Sequence, residues 1–131
     1  MIYTSNYVRS AKYALSYAIS VKPPEWYVGK CLPQLAPTWD MVNQSKSGRL
    51  THAQYTEQYI NLLSKRRFTP DRVMDALPDN SRLLCYESPG EFCHRRILAQ
   101  WIQDELGLII SEWVSEEDMY KEQLINDLLE F

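Results

Sequence analysis

The segment from Leu83 to Arg96, LLCYESPGEFCHRR, constrains this chain more than any other, because it sets two thiols, two carboxylates, an imidazole and two guanidiniums around one turn. Leu83 and Leu84 ahead of Cys85 predict a buried strand, whereas Ile97, Leu98, Trp101, Ile102 and Leu106 recur at helical spacing. The polar cluster therefore falls where a strand ends and a helix begins, the edge of an open α/β sheet at which ligands bind. Arg95 and Arg96 near a helix N-terminus run against the macrodipole, which favours anions there. They call for a compensating anion: Glu87, Glu91 or a bound ligand.

The rest of the chain alternates strand and helix signals. Ile2–Ser5 and Tyr17–Val21 are strand candidates, the second stopped by Pro23-Pro24, and Val8–Leu15 between them is read as a short helix. Glu25–Pro37, with Trp26, Tyr27, Gly29, Cys31 and Pro33, reads as an ordered loop. A helix over Trp39–Gln44 follows. Thr51 with Gln54 forms a capping box for a helix whose Tyr55, Tyr59, Leu62 and Leu63 share one face. Thr69-Pro70 opens another, to about Leu77. The third strand is Arg82–Tyr86, the helix after it ends at Gly107, and Leu108–Ile110 predicts a fourth strand. Ser115 caps a last helix whose stripe of Tyr120, Leu124, Leu128 and Phe131 is expected to dock on the domain. This order predicts one α/β domain: a short, mostly parallel sheet with helices on both faces, residues 1–114 forming the body and 115–131 a helix packed on it.

At 131 residues and 45% hydrophobic composition the chain suits one core rather than two. A net charge of −3 argues against non-specific nucleic-acid binding, although Lys65-Arg66-Arg67 and Arg95-Arg96 are local basic clusters. No signal-peptide pattern or membrane-length apolar run is present, and three cysteines fit a reducing compartment, so a cytoplasmic location is expected.

The signature LLCYESPGEFCHRRILAQW at Leu83–Trp101 resembles that of the domain of unknown function numbered 488, a family of small bacterial and phage proteins. The opening IYTSNY, the stretch ISVKPPEWYVGKCLPQLAPTW and LTHAQYTEQY resemble the family's first strand, its second strand with the following loop, and its central helix. The resemblance covers roughly Met1–Trp113 and supports the fold. It implies no particular reaction.

A parallel sheet would bring Thr4, Ser5 and Asn6, then Lys22 and the Trp26 loop, then Cys85 and Glu87, to one rim, where Cys93, His94 and Arg95 meet them. Backbone donors, guanidiniums including Arg96 and an aromatic wall suit an anionic, nucleotide-like small molecule. An enzyme built this way would use His94 as general acid/base, Arg95 as phosphate or oxyanion clamp and Glu87 to orient one of them. Cys93 is the better placed thiol for a nucleophile, yet neither cysteine has the arginine six positions on that phosphatases require: those positions hold Glu91 and Ala99. No Cys-x2-Cys or His-x3-His pair is present, so neither metal nor cofactor is expected. The alternative is a non-catalytic interaction protein, its last helix engaging a partner and the Cys-His-Arg cluster serving as a structural lock.

Overall fold

Leu83 and Leu84 face opposite sides of one strand and belong to two separate clusters of buried side chains. The structure, a computed structural model, describes residues 1–87 and 91–130; Ser88, Pro89 and Gly90 of the signature and Phe131 of the expected stripe lie outside them. Among the described residues the strands β1 (Tyr3–Asn6), β2 (Ser16–Ala18), β3 (Lys30–Cys31), β4 (Arg82–Cys85) and β5 (Ser111–Glu112) form one sheet in the order β3-β2-β4-β1-β5. Every pairing is parallel. The connections are therefore crossovers, supplied by α1 (Tyr7–Ser10), α2 (Trp39–Lys46), α3 (His52–Lys65), α4 (Pro70–Ala76) and α5 (His94–Leu106), with α6 (Glu116–Leu129) last. This is the α/β architecture that the order of signals predicts. No helix among the described residues is long and apolar enough to cross a membrane.

Period-two alternation divides the interior unequally. Tyr17 and Leu83 point to the larger core, with Tyr55, Tyr59 and Leu63 from α3, Val73 from α4 and Ile97, Leu98 and Ile102 from α5. Ala18 and Leu84 point the other way, where among the described residues the hydrophobic side chains clustered with them are Tyr7, Tyr27 and Ala11. Each fully buried Leu or Ile contributes roughly 1.5–3 kcal/mol, so the α3–α5 side carries most of the stability.

Local chemistry sets the helix starts. Thr38, Thr51, Thr69 and Ser115 each accept a bond from a backbone N–H of the first turn, and Thr51 and Gln54 complete both halves of the capping box. Gly107 ends α5 in the left-handed region at φ 67°. Asn6 caps α1, which is one turn long and stops well short of Leu15.

Three expectations are corrected. The strand after Gly107 is Ser111–Glu112; Leu108 and Ile109 are exposed and only Ile110 of that run is buried. The Glu25–Pro37 loop contains the edge strand β3. The last helix does not dock: α6 buries no residue, and Tyr120, Leu124 and Leu128 are exposed.

Candidate functional site

β2 and β4 are neighbours in the sheet, and the segments leaving their C-terminal ends open a cavity of about 350 Å³. Ser20, Val21 and Lys22 after β2 form one wall, and Cys85 at the end of β4 with Tyr86 and Glu87 after it another. Phe92, Cys93 and His94 close it at the start of α5, while Trp39, Val42, Ser45 and Lys46 of α2 and Tyr55 of α3 complete it. Trp39 and Tyr86 are each about half exposed, at 53% and 54%, and so present ring surface to an incoming molecule. Phe92 is fixed by His52, stacked on it with ring centroids 3.8 Å apart, and by the edge of Tyr55.

Beneath this opening lies a buried chain of charge. Alternation turns Cys85, like Leu83, toward α5, whose Arg95 is fully buried. The guanidinium donates through Nη1 to Cys85 Sγ at 2.9 Å, and through Nε and Nη2 to the two carboxylate oxygens of Glu112 at 3.0 and 2.9 Å. Thr4, the register partner of Glu112, adds a bond to Oε1 at 2.6 Å. Burial alone would disfavour the Arg95 charge, but Glu112 and the two thiols outweigh it and hold its pKa above the usual value.

The thiols differ in character. Burial, together with its hydrogen bond to Cys93, pushes the Cys85 thiol far up, so it remains S–H and donates to Cys93. Cys93, the N-cap of α5, is lowered by that bond first, against its own burial, with help from Arg95 and the backbone N–H of Arg96. Both are free thiols, as is exposed Cys31.

His94 is buried with Nε2 at 2.6 Å from the Ile19 carbonyl, so that nitrogen carries the proton. Burial pushes its pKa down to about 4, and the ring is neutral at physiological pH. Tyr55 is raised by burial first and then by Glu87 and the two thiols. Glu87 Oε2 is buried and has no hydrogen-bond partner among the described residues. Its other neighbours are telling: Sγ of Cys85, Sγ of Cys93 and a carboxylate oxygen of Glu87 all lie within 4.8 Å of one another.

Of the residues expected at the rim, the structure brings Cys85, Glu87, Cys93, His94 and Lys22 to the cavity. Thr4 and Ser5 lie buried within β1, bonded to Glu112 and Ser10. Asn6 caps α1 and reaches the Glu87 carbonyl at 3.5 Å. Trp26 stands on the opposite face, edge-on to Tyr7, and Arg96 is exposed and outside the lining. Among the described residues, the carboxylate shown bonded to Arg95 is that of Glu112. With no accessible surface, Arg95 acts on the cavity through Cys85 and does not touch its contents. Sequence reasoning missed Ser45, Lys46 and Tyr55; the spacing of Trp39, Val42 and Lys46 along one face of α2 is the signal that would have found Lys46.

The cavity lies outside the carboxyl ends of adjacent parallel strands, the place at which open α/β sheets as a class bind ligands. The chain matches the family model DUF488-N3a, described as the active DUF488-N3 subclade, over residues 7–106. It belongs to that family, and the resemblance read from the Cys-His-Arg signature holds. No curated protein and no solved structure is significantly similar to it.

Proposed function

We propose that the cavity binds an anionic, planar small molecule of the nucleotide kind and acts on it chemically. The observation that carries this reading is the buried carboxylate oxygen of Glu87, without a hydrogen-bond partner among the described residues, on a cavity whose wall also holds Lys22 and Lys46. An unsatisfied buried acceptor costs on the order of 1–3 kcal/mol unless something donates to it, and the ring N–H or amine of a heterocycle does so. The lysines then meet an anionic substituent, and Trp39, Tyr86 and Phe92 offer faces for a planar ring. A volume of about 350 Å³ falls within the roughly 300–1,000 Å³ typical of small-molecule sites.

Glu87 takes the general acid/base position in this reading, and neutral His94 contributes a hydrogen bond rather than a charge. The family's description as active supports turnover over passive binding. The free thiols support a reducing, cytosolic setting. Mass spectrometry of small molecules retained by the purified protein, followed by incubation, tests the reading. Retention of a nucleotide-like compound that Lys46→Ala weakens and Glu87→Gln leaves bound but unchanged is the expected result. Absence of any retained compound, with no thermal shift across a panel of nucleotides and nucleosides, would overturn it.

A second reading, an interaction protein, draws on α6 alone, whose Leu128 and Leu129 are 74% and 78% exposed. Its test is whether truncation after Val114 changes the oligomeric state; an unaltered state removes it.

A further inference from the structure

We propose that Cys85, Glu87 and Cys93 hold one divalent metal ion of the zinc class, with a fourth coordination position open to the cavity. The ligand atoms are already gathered within 4.8 Å of one another. Around a four-coordinate zinc with bonds of about 2.0–2.3 Å, ligand atoms stand roughly 3.3–3.8 Å apart, so closing the site takes a shift of only about 1 Å. Local structure accounts for the gathering. Cys85 ends β4, Glu87 follows two residues on and Cys93 caps α5, a Cys-x-Glu-x5-Cys spacing whose three ligands stand between the end of the strand and the start of the helix. That spacing differs from the short pairs of structural zinc motifs, which is why it does not announce itself in the sequence.

The donor set selects the metal. Two sulfurs and one carboxylate suit zinc and disfavour magnesium or calcium, which take oxygen ligands. Charge points the same way. Two buried sulfurs converge with the carboxylate of Glu87, whose buried Oε2 has no hydrogen-bond donor among the described residues. A dication replaces the thiol protons and gives the carboxylate its partner in a single event.

Arg95 is the obvious objection, since its Nη1 lies 2.9 Å from Cys85 Sγ and a bare guanidinium would repel an incoming cation. Glu112 removes the objection by engaging Nε and Nη2, which brings the pair close to neutrality. The remaining N–H then orients the Cys85 sulfur from behind, as outer partners of metal ligands do. All three ligands line the same cavity, so a fourth ligand comes from its contents: water or a bound molecule. With the ion bound, Glu87 serves as a ligand in place of the acid/base role proposed for it above, and the metal is tested without reference to the identity of the small molecule.

Titration of the chelator-treated full-length protein with Co2+, followed by displacement with Zn2+, tests it. One ion per chain is expected, with the visible spectrum of a four-coordinate site and a thiolate-to-cobalt charge-transfer band. Zn2+ should raise the denaturant concentration at which Cys85 and Cys93 become alkylated and leave the rapid alkylation of Cys31 unchanged. Cys85→Ser and Cys93→Ser should lose the charge-transfer intensity and weaken binding by at least about 100-fold, while Cys31→Ser changes nothing. If a serine variant fails to fold, as judged by its melting without metal, Glu87→Gln decides through weakened binding with both thiols kept. A six-coordinate spectrum without sulfur bands, or binding that survives both serine variants or follows Cys31, would overturn the proposal.

Discussion

Arg95 and Glu112 stand 17 residues apart in sequence and meet at two points, Nε with Oε1 and Nη2 with Oε2. The pair fastens β5, a strand of two residues, to the helix beneath it. The two members are not equivalent, because Arg95 has no accessible side-chain surface and Glu112 keeps 21%. Glu112→Ala strands a fully buried cation and is expected to cost on the order of 3–5 kcal/mol. Arg95→Met combined with Glu112→Leu removes both charges and should recover most of that loss. Urea denaturation of the single and double variants checks the order; a double variant no better than Glu112→Ala would show that the pair is not what is being lost.

Thiol accessibility gives a second expectation. Cys31 is exposed while Cys85 and Cys93 are buried, so metal-free native protein should titrate one thiol quickly and the other two only on unfolding. Ellman's reagent under non-reducing conditions reads this directly. A single titratable thiol after denaturation would mean that Cys85 and Cys93 are joined, against the reduced state of the structure.

Removing α6 should leave the body intact. It buries no residue, and its ion pair with the body, Arg9 with Asp118 at 3.7 Å, is partly exposed and of the kind that contributes roughly 0–1 kcal/mol. Truncation after Val114 is expected to change stability by no more than about 1 kcal/mol in a denaturation curve. Loss of cooperative unfolding would place the helix in the core after all.

Local signals explain why so much of the architecture was legible in the sequence. The capping box at Thr51 and Gln54, Thr69-Pro70, Ser115 and Gly107 each act within one helical turn, and each marks an observed boundary. The cluster at Cys85, Glu87, Cys93 and His94 was legible for the same reason, as its members flank one turn. What escaped was decided at longer range. Leu108–Ile110 has the apolar character of a strand, yet the ladder forms at Ser111–Glu112, where Glu112 reaches Thr4 and Arg95. No periodicity encodes an ion pair between a helix and a later strand. α6 misled in the opposite way: its stripe is real, but amphipathic spacing does not say whether a neighbouring surface exists to receive it.

High pH should weaken the small-cluster side of the sheet. Tyr27 donates to the Lys30 carbonyl at 2.6 Å and, at 3.3 Å, to that of Ser16, and burial raises its pKa from 10.0 to about 12. Between those values the unfolded chain has released a proton that the native protein retains, so stability falls as pH rises through the window and is fully present below it. Denaturation midpoints of the parent should therefore fall from pH 10 to 12, and those of Tyr27→Phe should fall less. Parallel declines in the two proteins would assign the loss to other groups.

β1 and β2 are not bonded to each other; both are bonded to β4, which comes between them in space and long after them in sequence. A chain still being synthesised can thus make only the two-residue β2–β3 pairing until Arg82–Cys85 has left the ribosome. β1 and β2 wait without their shared partner through most of translation, the interval in which exposed edges aggregate or recruit chaperones. The yield of this protein in a cell should therefore respond to elongation speed ahead of residue 82 more than to the stability of the finished fold.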